Sequence, residues 1–270
     1  MKKTAVLMTI AIFGISMNAS AETTETKKIK NYDLNFSVSY SPYYYKWEEK
    51  NGPTEKGWIH GLRTEAGVKI NKIVYMPYIM PSFTIYGGDV KYDGETWSGI
   101  KVKTRTNFNG WNAELNLGYK ICSGKNFNTM IYAGAGKEVW KRSIDSTTEG
   151  TGYTEKWSQK YIKAGIKPEY VYGNYYVYGN LYLKYPWDVE NKVGLFDVKV
   201  KPDEKVNYGF ELGGGIKGII AGKADLFASA FYEREKFGKS SPEYSEIVDS
   251  YLYQPESKRK TYGFRIGIKF

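Results

Sequence analysis

The stretch "TYGFRIGIKF", residues 261–270, separates into two sets. Tyr262, Phe264, Ile266, Ile268 and Phe270 are large and apolar, while Thr261, Gly263, Arg265, Gly267 and Lys269 between them are small or charged. A period of two is that of a β-strand, whose successive side chains point to opposite faces. Such a strand has two readings. In a soluble sandwich the apolar face is core and the charged face meets solvent. In a membrane barrel the apolar face meets lipid and the charged face a polar lumen.

The pattern recurs along the chain. Leu34, Phe36, Val38 and Tyr40 alternate with polar residues, as do Trp58, His60, Leu62 and Thr64, and then Trp111, Ala113, Leu115, Leu117, Tyr119 and Ile121. Ten strands are predicted, near 34–47, 57–70, 73–87, 109–121, 126–142, 157–171, 175–187, 205–219, 224–237 and 258–270. Tight turns at Asn71-Lys72, Cys122–Lys125, Tyr172–Asn174 and Ile220–Lys223 alternate with long polar segments near 48–56, 88–108, 143–156, 188–204 and 238–257. Short turns on one side and long loops on the other favour an outer-membrane barrel over a sandwich, whose loops do not sort by side. An even strand number puts both ends of the barrel segment on the short-turn side. The fold class predicted is therefore all-β, a ten-stranded antiparallel transmembrane β-barrel of the bacterial outer membrane. Arg63, Glu65, Glu114, Lys163, Glu211 and Arg265 supply both signs of charge to its lumen, where buried charge must be paired.

The amino-terminal residues agree with this. Lys2 and Lys3 precede an apolar stretch from Ala5 to Met17 and the small-residue site Ala19-Ser20-Ala21, the pattern of a cleaved secretory signal. The expected organisation is a signal peptide at 1–21, a periplasmic tail at 22–33 and a barrel at 34–270 with five long extracellular loops. No later apolar run reaches the roughly 20 residues of a transmembrane helix. Mean hydropathy is −0.52, as strand alternation dilutes the signal, and 17% of residues are aromatic, 26 of them Tyr. One cysteine, Cys122, excludes a disulfide scaffold.

Catalytic and metal chemistry has few candidates. His60 is the single histidine, and its parity with Trp58 and Leu62 places it among interfacial aromatics facing lipid. The Asp-His pair of omptin proteases is missing beside it, and position 62 is Leu where outer-membrane phospholipases carry Ser. "GGGIKG", 213–218, matches G-x-G-x-x-G inside a strand, not at the strand-to-helix turn a dinucleotide site needs. No cofactor or metal is expected, and no enzymatic activity.

What remains is a formal charge of +10, which favours polyanionic partners. Lys101, Lys103 and Arg105 recur at period two, Lys199 and Lys201 repeat this, and Lys258, Arg259 and Lys260 sit where the last strand leaves its loop. Trp97 and Trp157 lie near them for stacking on sugars. Acidic residues in the same segments, among them Asp93, Glu95 and Glu190, leave open that these cations are solvated or locally paired.

"TYGFRIGIKF", "NYGFELGGGIKG" with "ADLFASAFYEREKF", and "HGLRTEAGVKI" resemble strands of the OpcA-type outer-membrane adhesins, most closely over 207–270. The terminal Phe likewise resembles the closing signature of bacterial outer-membrane proteins. The resemblance implies delivery by the barrel-assembly machinery and a basic crevice at the barrel mouth that binds sulfated glycosaminoglycan or sialylated sugar. The expected function is therefore a monomeric surface adhesin for acidic host glycans, surrounded by outer-membrane lipid and lipopolysaccharide, with no nucleic-acid partner. A small channel or structural barrel is the alternative, and an omptin-like protease a third.

Overall fold

The computed structural model describes residues 32–70, 77–95, 99–220 and 222–270. The predicted signal peptide, nearly all of the predicted tail, the turn at Asn71-Lys72, Ala221 and Trp97 lie outside them. The strands are β1 (Tyr32–Glu49), β2 (Thr54–Ile70), β3 (Tyr78–Glu95), β4 (Lys101–Ser123), β5 (Phe127–Ile144), β6 (Thr154–Tyr172), β7 (Tyr175–Val193), β8 (Val198–Val200), β9 (Pro202–Glu204), β10 (Asn207–Ile220), β11 (Ala224–Ser240), β12 (Glu243–Ser245), β13 (Ser250–Leu252) and β14 (Ser257–Lys269). No helix occurs among the described residues. The ten long strands form one antiparallel sheet, which β7 pairing with β10 and β14 pairing with β1 close into a barrel. The four short strands decorate one end.

The surface decides between the two readings of the sequence. Leu117 is 58% exposed and Phe264 60%, while Glu114, Glu138, Arg142 and Lys184 are buried. An apolar exterior around a charged interior is stable only where the exterior solvent is lipid. On β4 the outward apolar run extends from Trp111 to Ile121. That is about 33 Å of strand, and strand tilt reduces it to the roughly 25 Å height of an outer-membrane apolar band.

Beyond the band the polarity reverses. On β1, Phe36, Val38 and Tyr40 share the outward face with Tyr44; past Tyr44 the same face carries Lys46 and Glu48, while Tyr45 and Trp47 point inward and are buried. On β4 the outward residues past Trp111 are Asn109, Asn107, Arg105, Lys103 and Lys101, and Phe108 and Val102 turn inward. Above the lipid the barrel is therefore an ordinary water-soluble structure with an apolar inside.

This reversal explains where the strand boundaries differ from those read in the sequence. The segment 88–108, expected as a loop, is a hairpin paired from Gly88↔Phe108 to Glu95↔Lys101. Strands β5, β6 and β7 likewise run to Ile144, from Thr154 and to Val193. The predicted loops 188–204 and 238–257 contain β8 and β9, and β12 and β13. Backbone pairing continues while the apolar face changes sides, so alternation read for one face stops before the strand does. At the short-turn end two described connections are tight, as expected: three residues join β4 to β5, and Gly173, at φ 57°, lets β6 turn into β7 within two residues.

The β14–β1 seam runs from Ser37↔Lys269 to Glu49↔Ser257, and Phe270 and Phe36 exchange both backbone hydrogen bonds, at 2.7 and 3.1 Å. Deleting Phe270 should expose two backbone groups of Phe36 on the lipid-facing seam, each costing several kcal/mol there. The expected outcome is a reduced folded fraction by heat-modifiable migration on gels, with Phe270→Leu retaining the folded yield. An unchanged folded fraction in the deletion would show that the seam does not need this pair.

Candidate functional site

The lumen is filled over part of its length. At the long-hairpin end, Trp47, Ile59, Val90, Phe108, Trp140, Trp157, Val189 and Phe237 meet across the bore, the three tryptophans and Phe237 wholly without exposure. Trp140 and Trp157 stack at 5.4 Å, and Trp47 meets Trp157 edge-on at 5.1 Å.

Buried ions surround this plug. Arg142 lies under the Trp47 ring and bonds Glu55 at 3.1 Å and Glu155 at 2.7 Å. Thr106 donates to Glu55, and the Trp157 indole N–H to Glu155. Arg259, over Trp140, reaches Glu235 and Glu138; Lys184 bonds Glu235 at 2.7 Å and Glu233 at 3.2 Å. Closer to the short turns, Lys163 pairs with Glu114 at 2.8 Å, Arg265 with Glu211 at 2.7 Å and Arg63 with Glu65 at 2.9 Å. The six lumenal charges read in the sequence are thus three ion pairs. Inward glycines give the tyrosines room: Tyr161 covers Gly136 and Tyr182 covers Gly209, where a Cβ would collide with each ring. A cavity of ≈ 340 Å³ remains below, lined by Arg63, Glu65, Lys167, Tyr178 and Arg265 among others.

Two predicted site residues belong to this interior. Arg259, expected to bind ligand with Lys258 and Lys260, instead has the parity of Arg265, points into the bore and is held by two carboxylates. Trp157 is part of the plug and cannot stack on a ligand outside. Trp97 lies outside the described residues. The other predicted cations all face outward. Lys101, Lys103 and Arg105 share the face of Trp111 and Leu115, so they stand on the outer wall and do not converge on a mouth. Lys103 and Lys101 face Asp93 and Glu95 across the ladder, with Lys103 at 3.7 Å from Asp93. Lys199 pairs with Glu190 at 2.6 Å and adjoins Lys192, whose hydrogen bond to Asp197 holds that carboxyl below its usual range. Lys201 is exposed, and Lys258 and Lys260 flank Glu48 on the outer wall.

A concentration of cations lies on that wall, in a groove lined by Lys56, Lys91, Asp93, Lys103 and Arg105. The lining holds four cations and one carboxylate, and Lys91 stands directly opposite both Lys56 and Arg105. Sequence reasoning missed Lys56 and Lys91. They are far apart in the chain, and only strand register makes them neighbours; their outward parity was legible, their adjacency was not.

His60 points outward as expected, stacked on Tyr40 with Nδ1 2.6 Å from its hydroxyl. "GGGIKG" lies within β10 and leads into the turn before β11. No cluster of metal-ligating side chains occurs among the described residues.

Arg142→Met should leave Glu55 and Glu155 buried without their cation, a loss of about 3–5 kcal/mol. A large fall in the urea midpoint of the micelle-folded barrel is expected. Lys160→Gln, which removes the exposed 2.7 Å pair with Asp188, should leave the midpoint unchanged. Equal midpoints for both variants would remove the Arg142 cluster from the stability of the upper barrel.

No family model matches the chain, and no curated protein matches it. Among solved structures it is similar to the outer membrane protease OmpT from Escherichia coli, at 12% identity and a TM-score of 0.58 over 92% of this chain and 98% of that one. The translocator domain of autotransporter NalP from Neisseria meningitidis aligns over 88% of both chains at 14% identity and a TM-score of 0.44. The transport unit of autotransporter AIDA-I from Escherichia coli covers 92% of this chain and 93% of that one, at 10% identity and a TM-score of 0.45. The first of these, together with the closed ring of ten strands, shows the fold: this chain is an outer-membrane-type β-barrel.

Proposed function

We propose that the chain is an outer-membrane surface adhesin that binds acidic or sulfated glycans along the outer wall of its long hairpins. The observation that carries this reading is the groove of Lys56, Lys91, Lys103 and Arg105, four outward cations against Asp93, standing clear of the apolar band. Neighbouring strands are about 4.8 Å apart. Cations fixed at that interval match the close spacing of charges on a sulfated polymer and need little reordering to bind it. The inward Arg142, Lys163, Lys184, Arg259 and Arg265 are already neutralised by carboxylates, so they have little charge left to offer a ligand.

The filled bore supports a binding role over conduction, because a plug of packed tryptophans leaves no aqueous path at that level. The outward position of His60, bonded to Tyr40, supports a role without catalysis. The OpcA-like segments of the last strands agree with an adhesin. The groove departs from the basic mouth that resemblance implies, since the cations lie on the wall outside.

Heparin-like polymers should bind the purified barrel, and neutral glucans of similar length should not. Lys91→Gln, Lys103→Gln and Arg105→Gln together should weaken heparin binding. They should also lower the slope of log affinity against log salt by about two to three, by analogy with counterion release from nucleic acid. Lys125→Gln with Lys223→Gln, at the short-turn end, should change neither. Equal losses from the two sets would mean attraction by diffuse net charge, and the groove would have no special role.

A further inference from the structure

The groove is one end of a longer feature. Arg234 on β11 pairs in register with Lys260 on β14; Lys260 with Lys46 on β1; Lys46 with Lys56 on β2; Lys56 with Lys91 on β3; and Lys91 with Arg105 on β4. Six cations thus stand side by side on the outer face of six adjacent strands, a row about 24 Å long at the usual strand spacing. Like charges directly opposite each other destabilise a sheet. The row itself holds no carboxylate. Glu48, one step further along β1, reaches Lys46 at 2.6 Å and Lys260 at 3.8 Å, and Asp89 and Asp93 flank Lys91 along β3. Arg234 touches the Tyr208 hydroxyl at 3.5 Å.

The height of the row is set by what lies beneath it. Two residues toward the short turns, on the same outer face, Tyr232 pairs with Tyr262, Tyr262 with Tyr44, and Tyr44 with Trp58. Rows of Tyr and Trp at the edge of an apolar band occupy the membrane–water interface. Arg234, Lys260, Lys46 and Lys56 therefore come at the level of the lipid headgroups. Lys91 and Arg105 rise above it, since the outermost outward apolar residues of their strands, Ile85 and Trp111, lie six residues back.

We propose that this row is a binding surface for phosphorylated glycolipid headgroups of the leaflet at the long-hairpin end, seated chiefly by Arg234, Lys260, Lys46 and Lys56. The inference rests on the reading that this end faces the cell surface. The occupant follows from charge and position. The interfacial ring brings a layer of lipid headgroups to the row whatever else binds the protein, and phosphate is the anion that answers a line of cations in which Lys46 and Lys260 share a single carboxylate, Glu48. The phosphate groups would bridge neighbouring cations across strands and turn repulsion into attraction.

The test is a titration of the micelle-folded barrel with a purified bisphosphorylated glycolipid, its dephosphorylated form, and millimolar inorganic phosphate, read as bound lipid by native mass spectrometry and as the shift in heat-modifiable unfolding temperature. The phosphorylated lipid should bind and raise the transition; the other two probes should do neither. Lys46→Gln, Lys56→Gln and Lys260→Gln together should weaken lipid binding by at least about tenfold. Without lipid this variant should melt at the same or a higher temperature than the parent, because repulsion is removed. A comparator, Lys125→Gln with Lys223→Gln at the short-turn end, should bind the lipid as the parent does. Undiminished binding in the triple variant, equal loss in the comparator, or an equal response to the dephosphorylated lipid would overturn the proposal. So would a response to inorganic phosphate alone matching that to the lipid, since the row would then be a simple phosphate site. Heparin binding lost on changing Lys91, Lys103 and Arg105, none of which is among the four residues that seat the lipid, is read separately, so the glycan reading and the lipid row can fail independently.

Discussion

Everything in this molecule depends on the absence of water in the apolar band. There a backbone N–H or C=O without a partner costs several kcal/mol, so a sheet can enter lipid only if it has no edge. The two seams, β14 with β1 and β7 with β10, remove the edges. Ring closure fixes the register of each strand against the next. That register in turn decides which lysines become neighbours, which carboxylates meet Arg142 and Arg259, and which aromatics stack in the bore.

The interior follows from the same constraint. With apolar side chains committed to lipid, the band has little left to pack inside except polar groups, glycines and tyrosines. Buried ions are costly unless paired and hydrogen-bonded. Each cluster here meets that condition by sharing: Glu138 accepts from Tyr86, Gln159 and Arg259, and Glu211 from Tyr178, Ser229 and Arg265. Once the strands leave the lipid, aromatic groups can turn inward, and the tryptophan plug forms. Filling the bore is the way the upper barrel acquires a core.

The fold was legible in the sequence because its strongest signal, the outward alternation in 109–121 and 258–270, is local. So were the lumenal charges and the outward His60. Strand ends were not, because the apolar set changes face at Tyr44-Tyr45 and again between Trp111 and Phe108, which reads as a loss of pattern. Arg259 and Trp157 illustrate a different failure. Their inward parity could have been counted from Arg265 and Lys163, but a run of three cations and an aromatic near a loop invite a reading by composition. The groove was beyond reach: Lys56 and Lys91 become neighbours only through the pairing of β2 with β3.

The switch of faces also acts as a depth gauge. If the barrel sank by one register step, Lys46, Lys56 and Lys260 would be drawn toward hydrocarbon; if it rose by one, Tyr44, Trp58 and Tyr262 would be lifted into water. Both displacements are opposed on several strands at once, so immersion is held at a single level and does not drift with bilayer thickness. In a thinner or thicker membrane the lipid must deform to meet the protein. The barrel then imposes its own hydrophobic height on the annulus around it, and neighbouring molecules with the same gauge would be sorted into patches of matching thickness.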